Sequence, residues 1–241
     1  MVTFLHLQGI ILILNPLVKI NESYEKGILP KNIFIKIKER YHIVTSGIER
    51  IENSAGIKYP TIYVEPSLII SNDTDKSNYA ILFARTIPFV YEDKFTVLIQ
   101  ISAPLVVYGL KGTIHAILAH EFLHYLDLMN KISKNKIISD EVSGNIFENI
   151  YSDATKLFKP KTVFKDRTLI KHISTRFAPQ FSDSKLENKI INSWLKKKLP
   201  KTIIGLDYNN IKLSMKSLAK FELQPELLTK INEIEKKKKN T

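Results

Sequence analysis

Residues Thr113–Met129 read TIHAILAHEFLHYLDLM. The stretch contains no Pro and no Gly and is rich in strong helix formers, and Gly112-Thr113 supplies a start signal. On that helix His120 and His124 stand one turn apart on a single face, so two imidazole nitrogens can reach one metal ion. Glu121 lies beside them, near enough to take a proton from a water at the site without being a ligand. About one chain in a hundred of this composition carries the pattern by accident, so its surroundings matter. Ile114, Ile117, Leu118, Phe122, Tyr125, Leu126 and Met129 enclose the two His in apolar groups, a dry shell that strengthens metal electrostatics. The competing reading is a buried amphipathic helix with hydrogen-bonded core histidines. A Glu flanked by two His on so apolar a helix is costly if nothing binds there.

The run Ala116–Asp127 (AILAHEFLHYLD) resembles the active-site helix of the zincin metallopeptidases. The upstream segment Thr96–Leu105 (TVLIQISAPL) resembles the edge strand and short connection that precede such a helix. The likeness covers roughly residues 60–158 and stops there. It implies a zinc-dependent peptidase with one catalytic Zn2+, His120 and His124 as ligands, Glu121 as general base, a peptide or protein substrate, and one of the strands Tyr79–Val90 and Phe95–Ile101 as the edge that pairs with the extended substrate.

Catalytic zinc usually takes three protein ligands. No His follows His124 at short spacing and the chain has no Cys, which leaves a downstream carboxylate, as in the gluzincins. A second helix is expected over Ser139–Phe158, capped by Ser139, with Asp140 and Glu141 at its positive end and Pro160 beyond it. The linker Ile132–Ile138 is short enough to set the two helices antiparallel. A hairpin folding near residue 135 brings Glu148 level with the His pair. A helical wheel instead places Asp153 within the apolar arc of Val142, Ile146, Ile150, Ala154 and Leu157, with Glu148 nearly opposite. In the gluzincins the ligand Glu stands four residues before the Asp of a Ser-Asp pair. Here Ser152-Asp153 is preceded at that distance by Asn149, and Glu148 is five before. Glu148 is the favoured third ligand with Asp153 behind it, and Asp153 as ligand is the alternative. Tyr151, His172 and Arg176 are candidates to steady a transition state, and Asp127 either orients a His ring or is a helix-end carboxylate.

The chain has 241 residues, 44% hydrophobic and 25% charged, with a formal charge of +12, ordinary proportions for a globular protein. The excess is Lys; only Arg40, Arg50, Arg85, Arg167 and Arg176 carry guanidinium. Such a surface attracts nucleic acid or anionic surfaces weakly and in a salt-dependent way. A basic, helical nucleic-acid-binding protein with a structural or degenerate metal site is therefore the alternative reading. The absence of Cys excludes disulfides and thiolate metal sites and fits a cytoplasmic protein. Met1–Leu14 is apolar but too short to span a bilayer. It lacks a basic start and reads as a buried strand, with a weak export signal as the alternative. No run is long enough for a transmembrane helix.

The expected fold is α+β: a small mixed or antiparallel sheet packed on the HExxH helix and an antiparallel glutamate helix, followed by a mainly helical C-terminal subdomain. Residues 1–159 would form the zincin-like unit, 160–235 the helical subdomain and 236–241 a basic disordered tail. A turn falls at Asn15-Pro16 and a polar, turn-rich stretch at Asn21–Pro30. Helices are expected over Lys31–Asn53, Asp166–Phe177, Ser184–Lys198 and Pro225–Lys236. Strands are expected over Thr61–Val64, Tyr79–Val90 and Phe95–Ile101, the last two antiparallel. Ser71–Asn78 reads as a polar loop, and Thr202–Ser214 carries strand and turn signals.

Overall fold

The computed structural model describes residues 15–72, 79–91, 94–134, 158–177, 181, 183–204 and 223–239. The protein is α+β, with two three-stranded mixed sheets among the described residues where one was expected. In the first, β1 (Thr61–Glu65) runs parallel to β5 (Lys94–Ser102), and β5 runs antiparallel to β4 (Ala84–Tyr91), in the order β1-β5-β4. In the second, β2 (Leu68–Asn72) lies between antiparallel β3 (Tyr79–Leu82) and parallel β6 (Lys201–Ile204).

The first sheet decides where the candidate site sits. Its register aligns Ile62, Ile99 and Thr86 in one row and Val64, Ile101 and Ala84 in the next. All six are buried, because strands alternate faces and this face meets the core. The opposite face carries the row Tyr63, Gln100 and Arg85. There Arg85 donates to Gln100, which donates to Glu65 at 3.0 Å.

The expected strand Tyr79–Val90 is two strands. It breaks at Phe83, which is buried against Phe181 at 5.0 Å between ring centroids and whose carbonyl accepts the Ser102 N–H at 2.9 Å. β3 is thereby diverted into the second sheet. The segment Thr96–Leu105 also differs from expectation. Its strand, β5, is central, β1 and β4 are the edges among the described residues, and from Ala103 the chain is helical: α3 (Ala103–Tyr108) carries Pro104 in its first turn, where a missing N–H costs nothing.

Two helices precede the sheets. Val18–Glu25 (α1) is helical although Asn21–Pro30 reads as turn; burial of Ile20 outweighs its polar composition, and the turn is confined to Lys26–Gly27. α2 (Lys31–Ala55) follows the expected periodicity and ends at Gly56, whose φ of 70° suits a residue without Cβ and whose N–H caps Glu52 O. Arg40 of α2 donates to Val106 O at 2.8 Å and also to Gly109 O, clamping the end of α3.

The HExxH helix, α4, runs Lys111–Ser133, and from Thr113 to Met129 every residue but Tyr125 is buried. It is the centre of the molecule. α2, β4, α6 (Arg167–Arg176) and α8 (Pro225–Lys239) all pack on it. Gly47 lets α2 approach closely, since a Cβ there would lie 2.8 Å from His115 Cδ2 and 2.9 Å from Leu118 Cδ1. His115 is a third His on α4, directed away from the HExxH pair. Its Nε2 meets Ile43 O at 3.1 Å, and burial pushes its pKa down, so the neutral ring donates to that carbonyl.

The C-terminal part is tied into the same structure. α5 (Pro160–Val163) leads to α6, whose N-cap Asp166 accepts from Leu169 N at 2.9 Å and from Arg50 at 2.6 and 3.0 Å. α7 (Ser184–Ile190) continues as a π-helical turn, Ile191–Leu195, that buries Trp194. β6 accounts for the start of Thr202–Ser214 and the remainder lies outside the described residues. Ser71 and Asn72 belong to β2 and not to a loop. Lys236–Lys239, expected to be a disordered tail, form the last turn of α8, where cations suit the negative end of the helix dipole. Met1–Leu14 and the expected helix Ser139–Phe158, except Phe158, lie outside the described residues. No helix among the described residues is long and apolar enough to cross a membrane.

Two substitutions test this packing. Ala at position 47 gains about 1 kcal/mol of helix propensity, but the His115 ring cannot retreat without breaking its bond to Ile43 O. Gly47→Ala should therefore be destabilised by about 1–3 kcal/mol in urea unfolding. The Arg50 hydrogen bonds, opposed by partial burial and helped by the Leu169 N–H, hold the Asp166 carboxyl down from 3.8 to about 2. A depressed carboxylate stabilises the fold above its unfolded pKa and loses that contribution as pH falls through its folded value. Asp166→Asn keeps the cap and loses the ion pair. The stability gap to wild type, about 1 kcal/mol or less for so solvated a pair, should be full above pH 4 and close as pH falls to about 2.

Candidate metal centre

His120 and His124 project from the same side of α4, and their Nε2 atoms approach to 3.0 Å. Their rings meet edge to face, with centroids 4.7 Å apart. Two nitrogens bound to one tetrahedral zinc at the usual Zn–N length lie about 3.3 Å apart, so the pair is spaced as two ligands of a single ion. Two neutral imidazoles are also donors that zinc favours. The Nε2–Nε2 approach can equally be held by one shared proton, one ring donating and the other accepting.

The rings are braced by their surroundings. Phe177, immediately after α6, stacks on His120 with centroids 3.9 Å apart and planes 8° from parallel. Phe177 in turn packs on Phe181 at 5.2 Å, with an isolated antiparallel bridge joining the two residues. Both line a pocket of about 110 Å³ with the bend Ile81–Thr86, Ile117 and the three HExxH side chains. Glu121 is 8% exposed, and Thr86 on β4 donates from Oγ1 to its Oε2 at 2.9 Å. Behind the helix Tyr59 stacks on Phe122 and donates to Leu118 O at 2.8 Å. Burial, and then the charge of Glu121, push the Tyr59 phenol well above its ordinary range.

Sequence comparison with protein-family models and with curated proteins, and a search of solved structures, found no match to this chain.

The expected site residues divide into three groups. His120, Glu121 and His124 share one pocket. Glu148, Asp153 and Tyr151 lie outside the described residues, and among the described residues no set of three His, Asp or Glu forms a complete ligand group. His172 and Arg176 do share a face of α6, but that face meets the first turn of α4. The His172 ring lies against Gly112, eight residues and so about 12 Å along the helix from His120. Arg176 donates to Thr113 Oγ1 at 3.0 Å, and Thr113 donates to Asp183 at 2.9 Å. Neither lines the pocket. Asp127 is buried and ion-paired with Lys131 one turn on, at 2.6 Å, so it is neither a surface carboxylate nor bonded to a His ring. Thr86, Phe177 and Phe181 were not anticipated. Thr86 alone left a trace: strand alternation puts it on the inward face with Ala84 and Pro88, a polar residue on a buried row.

Proposed function

We propose that this protein is a zinc-dependent peptidase in which Glu121 is the general base. The observation that carries the reading is the convergence of His120 Nε2 and His124 Nε2 to 3.0 Å in a pocket shared with the Glu121 carboxylate. His120 and His124 would hold the ion through Nε2. The third ligand is assigned to Glu148, with Asp153 as the alternative, on the segment that follows α4. Zinc, when bound, supplies a Lewis acid that polarises a scissile carbonyl and acidifies water.

The chain's own residues do the rest. Glu121 takes a proton from the attacking water on its carboxylate and returns it to the leaving amine. The apolar wall of Phe83, Phe177 and Phe181 excludes bulk water, so charges in the pocket interact more strongly than in solution. Among the described residues β4 is one edge of its sheet and it contacts Glu121 through Thr86, so an extended peptide added to that edge by main-chain hydrogen bonds would lie next to the base.

Protein purified without added zinc should carry one equivalent by metal analysis and cleave fluorescein-labelled casein. Glu121→Gln should keep the zinc and lose activity by about 10²–10⁴-fold. His120→Ala should lose the zinc. Full activity in Glu121→Gln would contradict the assignment.

A further inference from the structure

Thr86 is 1% exposed, on the inward row between Ile99 and the HExxH helix. Its hydroxyl lies within bonding distance of two acceptors, Glu121 Oε2 at 2.9 Å and Glu121 O at 3.1 Å. Both belong to one residue. A threonine hydroxyl has one proton to give, and a carboxylate accepts it more strongly than a carbonyl already bonded within a helix. The contact therefore holds one oxygen of Glu121 and fixes the rotation of the carboxylate, which sets the direction its other oxygen presents.

The backbone makes this hold stiff at both ends. Thr86 is β-branched, so its χ1 is restricted, and it sits in a strand paired along its whole length to β5. Glu121 is fixed by a helix buried on both sides of it. The row is otherwise apolar (Ile62, Ile99), so packing alone would be served as well by Val, which has the same shape without the hydroxyl. The polar choice at this position has Glu121 as its only partner among the described residues.

We propose that Thr86 is the positioning residue of Glu121, so that the edge strand assigned to the substrate also aims the base. The inference rests on the peptidase reading. It predicts a division of labour: the β4 backbone governs substrate binding, and the Thr86 hydroxyl governs the chemical step.

The test uses the zinc-loaded full chain with Thr86→Val and Thr86→Ser, and a quenched fluorescent peptide spanning a cleavage site first mapped in casein. Thr86→Val should lower kcat by about a hundredfold, the scale of a misplaced catalytic group, with KM changed by no more than about twofold. Its zinc content should equal that of wild type. Thr86→Ser, which keeps the hydroxyl, should stay within about threefold of wild type. A second readout needs neither zinc nor activity: urea unfolding of metal-free Thr86→Val, Glu121→Met and the double variant. The two substitutions should be non-additive, because they remove one shared contact.

The outcomes separate cleanly. Unchanged kcat in Thr86→Val, equal losses in Val and Ser variants, zinc loss in Thr86→Val, or additive unfolding effects would each overturn this inference while leaving the peptidase reading in place. A wild-type protein that binds zinc and cleaves nothing would overturn the peptidase reading, and this inference with it.

Discussion

A helix with no solvent face must find a partner for every polar group it carries, and that constraint organises this molecule. α4 is buried from Thr113 to Met129 apart from Tyr125, and an unpaired polar group there would cost about 1–3 kcal/mol. Three are answered from neighbouring elements, and Asp127 from within α4 itself. Thr113 is met by Asp183 and Arg176, His115 by Ile43 O of α2, Glu121 by Thr86 of β4, and Asp127 by Lys131. The elements around α4 are thus placed by specific polar contacts as well as by apolar burial. Within this pattern His120 and His124 also meet each other, Nε2 to Nε2 at 3.0 Å.

The same constraint explains why the pocket takes its form. The sheet supplies one wall at the point where the chain bends at Phe83 and leaves one sheet for the other. α6 supplies the second wall by ending at Phe177 on the face of His120. Neither wall is made of residues near α4 in sequence. The small volume and aromatic lining follow from three Phe rings converging from β3–β4, the end of α6 and the segment after it.

Local signals in the sequence translated well into local structure. The helical periodicity of Lys31–Asn53 and Asp166–Phe177 and the HExxH spacing have their cause within a few residues, and each is found close to its expected bounds. The departures have non-local causes. Tyr79–Val90 carries strand propensity throughout, and only the distant contact of Phe83 with Phe181 and Ser102 divides it. Val18–Glu25 is too polar to announce a helix and becomes one by packing Ile20 inward. β5 reads as an edge strand from its position before the helix, yet strand order is set by which partners fold back on it. For the site, i and i+4 spacing was enough to bring His120 and His124 together. It could not reveal Thr86, 35 residues away and joined to Glu121 through sheet register, nor the stacking of Phe177 on His120. His172 and Arg176 share a face as their spacing requires, but the axial position of α6 along α4 sends that face to Gly112 and Thr113.

X-ray absorption at the zinc edge of the zinc-loaded protein reads the ligands themselves. The chain has no Cys, so zinc held by His120 and His124 should show a low-coordinate shell of nitrogen and oxygen near 2.0–2.1 Å with the outer-shell scattering of two imidazoles, reduced in His124→Ala. A shell of oxygen alone, or imidazole scattering that survives loss of His124 unchanged, would contradict it.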